Sequence, residues 1–256
     1  MNSNGLGIDG KVIFSTGNIM SIDDITKKPS QNATQELIEA IKYTIKEYGK
    51  QTDRVEYADH SRIISRPDDI QGKIQENNID DLKIGIKIFL TECNEDNLKE
   101  ALEIALKQQL NVASVADVIV SFKKELQEDK RDNLDEIKRI WKFLEGYVQM
   151  GTVGELGIAD IEEATFKELF EWSKVKPSII QINLATCCVV PPTLQSFCKE
   201  KDIKLFTHSD SSDILPSQSI EEIFNKPLIL QWAVRFTVHI KCRGVLTIKG
   251  YCLCIT

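Results

Sequence analysis

Apolar stretches of strand length alternate along the chain with stretches in which apolar residues recur every three or four positions. The first kind of pattern predicts strands and the second predicts helices. The expected strands cover residues 11–18, 54–59, 83–90, 117–122, 154–158, 179–184, 203–207 and 244–248. Eight nearly apolar strands that alternate with helices favour a closed parallel barrel over an open doubly wound sheet. We therefore predict one α/β domain over residues 1–256, a (β/α)8 barrel of TIM type, in which residues 1–10 form a flexible N-terminus.

Several helices are marked by the residues at which they begin. Asn32 and Gln35 have the spacing of a capping box ahead of an apolar helical stripe. A short polar helix is predicted near 67–77, and a proline pair predicts the start of a helix over 193–201. Pro227 predicts the start of a further helix with one apolar face. That face consists of Ile229, Trp232, Ala233 and Phe236.

Charge and cysteine content narrow the setting in which this domain acts. The net charge of −7 argues against nucleic acid or an anionic membrane surface as a partner, because both would repel the chain. The first residues resemble no secretion signal, and no apolar run is long enough to span a membrane. Seven cysteines are an odd number for a disulfide framework. We therefore expect a cytoplasmic protein with reduced thiols.

The segment GLGIDG, at residues 5–10, fits the spacing of a dinucleotide-binding fingerprint. That fingerprint requires a strand that delivers the glycines to the N-terminus of a helix, where amide groups hold a pyrophosphate. Here a predicted strand follows the glycines instead of preceding them. The segment is therefore interpreted as part of the flexible N-terminus.

Lys87 is the first candidate for chemistry, since it lies inside the clearest predicted strand. Within residues 83–90, three isoleucines share one face, while Gly85, Lys87 and Phe89 share the other. If the isoleucines pack against helices, Lys87 points into the barrel. A buried lysine must be paired or lose its charge, which makes it a catalytic group or the relic of one. A lysine that reaches solvent at the rim is the alternative.

Cys187 and Cys188 follow a predicted strand and therefore fall in a loop on the functional face of a barrel. Adjacent cysteines bond to each other only through a strained ring, and a zinc site needs two further ligands. The chain contains three histidines and no metal-binding or hydrolase motif, so no metal is expected. A nucleophile activated by His208 and a pair of buried thiols both remain open.

Several longer segments resemble landmarks of the aldo-keto reductase superfamily. They are GELGIAD (154–160), KPSIIQIN (176–183), LQSFCKEKDIKLFTHS (194–209), AVRF (233–236) and RGVLTIKG (243–250). The block EWSKVKPSIIQINLATCCVVPP (171–192), with TGN (16–18), KCRG (241–244) and KGY (249–251), is similar to the modifier, or regulatory, subunits of glutamate-cysteine ligase. The resemblance covers most of the chain. It implies an aldo-keto reductase barrel without the eighth helix and the C-terminal extension.

The resemblance also implies that reductase catalysis is lost. The superfamily uses an aspartate, a tyrosine, a lysine and a histidine to protonate a carbonyl while hydride arrives from NADPH. Lys87 matches the lysine. Glu56 stands near the position of the aspartate, Ser61 or His60 near the tyrosine, and Phe122 near the histidine. Lys87 is therefore expected to be a relic, and the alternative is a working NADPH-dependent reductase of carbonyl substrates.

The cofactor contacts that the resemblance implies are eroded as well. Ala159 and Asp160 replace the Ser-Asn pair that holds the nicotinamide carboxamide, and His208 replaces a stacking tyrosine. Gln181 is retained, and Lys249 matches a lysine that contacts phosphate. No cofactor is therefore expected beyond weak residual binding of NADPH by Asp160, Gln181, His208 and Lys249.

The function that the resemblance implies is regulation of another protein. The partner is the catalytic (heavy) subunit of glutamate-cysteine ligase, in a heterodimer, and the expected effects concern its substrate affinity and its feedback inhibition by glutathione. In that setting Cys187, Cys188 and, more weakly, Cys242 become candidates for an intersubunit disulfide. Burial of these thiols and a thiol oxidoreductase activity are the alternatives.

Overall fold

One sheet of ten strands carries the fold in the computed structural model, which describes residues 10–26, 32–48, 57–58, 61–123, 130–184 and 189–256. In chain order the strands are β1 (Val12–Ser15), β2 (Tyr57–Ala58), β3 (Ser61–Ser65), β4 (Leu82–Leu90), β5 (Val115–Phe122), β6 (Val153–Ala159), β7 (Ile179–Asn183), β8 (Lys204–His208), β9 (Leu230–Ile240) and β10 (Val245–Ile255). Because the sheet joins strands from both ends of the chain, the described residues share one continuous framework.

Eight α-helices accompany the strands in the described ranges. They are α1 (Asp23–Thr26), α2 (Ala33–Tyr48), α3 (Ile70–Gln75), α4 (Glu95–Glu103), α5 (Lys130–Gln149), α6 (Glu163–Trp172), α7 (Pro192–Glu200) and α8 (Ser217–Phe224). A π-helical segment, Ile104–Leu110, continues α4 and ends at Asn111 in the left-handed conformation. None of the helices formed by described residues is both long and apolar enough to cross a lipid bilayer.

The strand order is β2-β3-β1-β10-β9-β4-β5-β6-β7-β8. Strands β4 to β8 run parallel, while β9 pairs antiparallel with β4 and with β10. Helices connect the parallel strands, which is the order of elements of a barrel. The predicted fold class, an α/β fold of the (β/α)8 type, is confirmed, although hydrogen bonds between described residues do not close the sheet.

Successive residues of β4 point to opposite faces of the sheet, as the pleat of a strand requires. Ile84, Ile86 and Ile88 of β4 pack in the larger cluster with residues of α3 to α7. Phe89 belongs to the second cluster, together with residues of α2 and α8. Lys87 shares the face of Phe89 and is only 4% exposed. The isoleucines thus pack against helices as predicted, and Lys87 is buried on the opposite face, called the inward face below, instead of reaching solvent.

The first and last strands are held together closely. The backbone N–H of Thr16 donates to the carbonyl of Tyr251 at 3.0 Å, and the N–H of Tyr251 donates to Thr16 Oγ1, also at 3.0 Å. A Cβ at Gly250 would lie 2.2 Å from the carbonyl oxygen of Gly17. Gly250 is therefore required for β10 to approach the segment after β1.

Most of the predicted elements are present near their expected positions. The predicted polar helix corresponds to α3, and the helix after the proline pair corresponds to α7. Asn32 caps α2, since its Oδ1 accepts a hydrogen bond from the N–H of Gln35 at 2.8 Å. Of the predicted N-terminus, only Gly10 lies in the described ranges.

The prediction of a helix after Pro227 is wrong, because the chain forms strand β9 there. Trp232, Val234, Phe236 and Val238 alternate with the opposite face and pack in the larger cluster. The apolar residues of this segment fit the two-residue period of a strand as well as the period of a helix. The segment forms a strand because it pairs with β4 on one side and with β10 on the other. The pattern also predicts neither β3 nor α8.

Candidate functional site

A buried polar cluster lies on the inward face of the parallel strands. Its centre is Lys87, whose Nζ donates to Gln181 Oε1 at 2.8 Å and to Asp210 Oδ2 at 2.7 Å. Lys87 comes from the middle of β4, Gln181 from β7, and Asp210 from the loop after β8. A lysine in this position is forced inward by its apolar neighbours, and Asp210 supplies the opposite charge that its burial requires.

Arg235 is the second cation that binds Asp210. It lies on β9, directly opposite Lys87 in the sheet register. Its two terminal nitrogens contact both carboxylate oxygens of Asp210, at 2.6 and 3.0 Å, in a bidentate geometry. Lys87 Nζ and Arg235 Cζ also lie 5.2 and 5.6 Å from the ring centre of Phe89. One carboxylate and one aromatic ring therefore hold two basic side chains, of which Lys87 is buried and Arg235 is partly buried.

His208 connects this cluster to the end of β6. Its Nδ1 accepts a hydrogen bond from the N–H of Asp210 at 3.1 Å, and its Nε2 lies 2.9 Å from Asp160 Oδ1. In neutral His208 the proton is therefore on Nε2, which donates to Asp160. Asp160 has a φ of 61°, a left-handed conformation that places it at the turn after β6. The side chains of Asp160 and His208 and the backbone N–H of Asp210 thus form one chain of hydrogen bonds.

The burial of the cluster changes the protonation behaviour of its members. Burial lowers the pKa of Lys87, and the carboxylate of Asp210 opposes that shift. Burial alone would raise the pKa of Asp210, but hydrogen bonds with His208 and the charge of Arg235 hold it far below its ordinary value. Burial opposes charge on His208 too, yet its bonds to Asp160 and Asp210 raise its pKa. Asp210 is therefore ionised at neutral pH.

Lys249 belongs to a different, second ionic cluster. Its Nζ lies 2.6 Å from Glu36 Oε1 of α2, and the Tyr251 hydroxyl donates to the same oxygen at 2.6 Å. Burial and the nearby Glu36 raise the pKa of Tyr251, although Arg235 opposes the shift. The structure thus brings Lys87, Gln181, Asp160 and His208 together, whereas Lys249, on β10, pairs with Glu36 of α2.

Of the positions expected to accompany Lys87 in a tetrad, Phe122 is the one whose side chain the structure describes. Phe122 lies in the larger cluster, on the face opposite Lys87, so its ring does not stand beside the lysine. The inward residue opposite Lys87 on β5 is Ile119. Glu56 and His60 lie outside the described residues, and so does the side chain of Ser61.

Of the candidate cysteines, only Cys242 can be placed. It is exposed in the turn between β9 and β10 and forms no disulfide with another described cysteine. Cys187 and Cys188 lie outside the described residues. The other described cysteines, Cys93, Cys198, Cys252 and Cys254, are buried. Among the described residues, no group of three His, Cys, Asp or Glu side chains could hold a metal ion.

Asp210 and Arg235 are the functional residues that sequence reasoning missed. The pattern of apolar residues around Arg235 predicts a helix, which gives no indication that Arg235 lies beside Lys87. In the strand that these residues form, Arg235 lies on the inward face. Asp210 follows β8 closely, where polar groups of a barrel gather, and that position was the available signal.

Comparison with known proteins shows to which family the chain belongs. Residues 70–210 match the model of the aldo/keto reductase family. The chain belongs to this family. It is 28% identical to the human glutamate–cysteine ligase regulatory subunit, over 94% of this chain and 90% of the human protein. A putative glutamate–cysteine ligase regulatory subunit of Schizosaccharomyces pombe is 26% identical, over 74% of this chain and 75% of the yeast protein.

Among solved structures, the chain is similar to the aldo-keto reductase of the silkworm, Bombyx mori. The two are 21% identical, and the superposition covers 55% of this chain and 44% of the silkworm enzyme, with a TM-score of 0.43. The family assignment rests on the domain match and not on this partial superposition. The resemblance inferred from the sequence is confirmed by the family match and by the names of the relatives.

Proposed function

We propose that this chain is a non-catalytic regulatory subunit that binds the catalytic subunit of glutamate-cysteine ligase in a cytoplasmic heterodimer. In this proposal it changes the partner's affinity for substrates and its feedback inhibition by glutathione. Relatives over most of its length carry the name of that regulatory subunit. Regulation of this kind requires that the chain bind one conformational state of the partner more tightly than another.

The observation that carries the non-catalytic part is the engagement of Lys87 by Asp210. Reduction of a carbonyl needs a proton donor whose pKa lies near the operating pH, placed beside the reacting oxygen. The groups around the Lys87 amino group are the ionised Asp210, the amide of Gln181 and, opposite on β5, the apolar Ile119, and none of these three is such a donor. The pair Lys87–Asp210 therefore favours a structural role for the former pocket.

Tyr251 is the tyrosine that lies across the sheet from this cluster, paired in register with Arg235. Its hydroxyl already donates to Glu36, and its pKa is raised by burial and by that carboxylate. A tyrosine with a raised pKa and an occupied proton is a poor acid for a substrate carbonyl. This arrangement also supports the loss of reductase catalysis.

The test is co-purification with the ligase catalytic subunit, followed by kinetics with and without this chain. We expect a stable complex and a change of about fivefold or more in an apparent substrate constant or in glutathione inhibition. An unrelated protein at the same concentration serves as the control. If the two proteins do not associate, or associate without any change in kinetics, the proposal is wrong.

We further propose Cys187, Cys188 and the exposed Cys242 as thiols for a disulfide to the partner. Cys187→Ser/Cys188→Ser and Cys242→Ser should lower the yield of a covalent complex on non-reducing gels. Cys198→Ser, which changes a buried thiol, is the matched control and should leave that yield unchanged. Equal cross-linking by all variants would remove the cysteines from the proposal.

A working NADPH-dependent reductase is the second candidate. The membership of the family and the contact between Lys87 and Gln181 favour it. It predicts quenching of tryptophan fluorescence by NADPH and turnover of a simple aldehyde by the chain alone. If the chain alone turns over the aldehyde and Lys87→Met does not, the chain is a reductase and the proposal of a non-catalytic subunit is wrong.

A further inference from the structure

A cavity of about 450 Å³ opens at the end of the parallel strands where barrels of this kind do not place their chemistry. It is lined by the first halves of β4, β5 and β7 and by the second half of the antiparallel β9. Asp160 and His208 lie at the opposite ends of their strands. Lys87, Gln181 and Arg235 stand between the two ends and form the floor of this cavity.

The cavity depends in part on a glycine in β4. Gly85 lines it from β4, and a Cβ there would lie 2.9 Å from Asp117 Oδ1 and 3.4 Å from Thr237 Oγ1. A larger side chain at this position would therefore displace Asp117 and fill the space. The volume is in the range of sites that bind small molecules.

Positive charge dominates the lining. Four basic side chains, Lys83, Lys87, Arg235 and Lys241, face the cavity. Two carboxylates offset them, Asp117 through Lys83 at 3.1 Å and Asp210 behind the floor. Positive charge is therefore in excess in a chain whose net charge is −7. Such an excess attracts anions, and it does so most strongly where water is excluded.

The most buried basic side chains of the cavity lie at its floor. Lys87 and Arg235 meet there, and Asp210 is the carboxylate that contacts both of them. A lysine and an arginine that share one carboxylate suit a singly charged carboxylate better than a doubly charged phosphate. The walls beside the floor are apolar, formed by Ile119, Ile179 and Phe206.

We propose that this cavity binds a small organic carboxylate with an apolar body. Its carboxylate lies against Lys87 and Arg235, and its body lies against Ile119, Ile179 and Phe206. Lys83 and Lys241, which are exposed, stand at the mouth and attract the anion. The site is independent of the proposed ligase partner, because every group that forms it belongs to this chain.

The first test uses the purified chain alone and isothermal titration calorimetry. The probes are benzoate, its neutral analogue benzamide, and inorganic phosphate. We expect benzoate to bind at least about tenfold more tightly than benzamide, because only the anion gains charged hydrogen bonds. Equal binding of benzoate and benzamide, or phosphate binding as tight as that of benzoate, would overturn the proposal.

Two variants locate the bound carboxylate. Lys87→Met leaves Arg235 and Asp210 as a balanced pair and should weaken benzoate binding by about tenfold or more. Thr237→Phe narrows the cavity without removing a member of the ionic cluster and should abolish binding. It decides the question if Lys87→Met does not fold. Lys107→Gln, an exposed lysine on another surface, is the control for lost charge. Unchanged binding in Thr237→Phe would show that the ligand sits elsewhere.

Discussion

The two ionic clusters on the inward face have similar members but a different balance of charge. The first joins two cations, Lys87 and Arg235, to one carboxylate, and both Lys87 and Asp210 are almost fully buried. The second joins Lys249 to Glu36 one to one, with each side chain about a fifth exposed. The comparison shows that burial makes the single anion of the first cluster indispensable, whereas water can substitute for a lost partner in the second.

The largest effect should follow from removing that anion. Asp210→Asn leaves Lys87 and Arg235 buried without a counter-charge, so the free energy of unfolding should fall by roughly 3–5 kcal/mol. Urea denaturation followed by circular dichroism measures it. A loss below about 1 kcal/mol would mean that Phe89 or solvent compensates the cations and that the carboxylate is dispensable.

Removal of the anion in the second cluster should cost less. Glu36→Gln keeps an oxygen that accepts the Tyr251 hydroxyl, and Lys249 can turn to water, so we expect a loss of about 1 kcal/mol. The same denaturation experiment compares it with Asp210→Asn. If both variants lose equal stability, the distinction between the two clusters is wrong.

Removal of one of the two cations should cost least among these changes. Lys87→Met keeps the bidentate pair of Arg235 and Asp210, and it relieves the burial of a second charge. We expect the free energy of unfolding to stay within about 1 kcal/mol of the parent. A loss as large as that of Asp210→Asn would show that Lys87, and not Asp210, holds the cluster together.

The smallest effect concerns pH. Because the pKa of His208 is raised in the folded chain, its contribution is complete below the ordinary histidine pKa and is lost as pH rises through the folded value. Relative to His208→Gln, the parent should lose on the order of 1 kcal/mol or less as pH rises from about 6 to 8.5. Parallel stability curves for the two proteins over that range would contradict the assignment.

Alternation of residues in one strand was enough to predict the orientation of Lys87, because a local pattern determines which face a residue takes. Its partners depend on contacts distant in the sequence. Asp210 is 123 positions away, in a loop whose course no pattern predicts. The segment of Arg235 fits a helical period as well as a strand, and only the pairing of β9 with β4 and β10 distinguishes them. The family match, in contrast, was visible in continuous motifs.

The contact between the segment after β1 and β10 has a consequence for synthesis of the chain. Strand β1 finds its antiparallel partner at residues 252–255, more than 230 positions later. Until that partner has emerged from the ribosome, one edge of β1 lacks its hydrogen bonds, and the nascent chain presents it to chaperones or to neighbouring chains. Pairing of β1 therefore waits for more than 230 further residues, and Gly250 is the position at which a single added methyl group would obstruct the approach of β10.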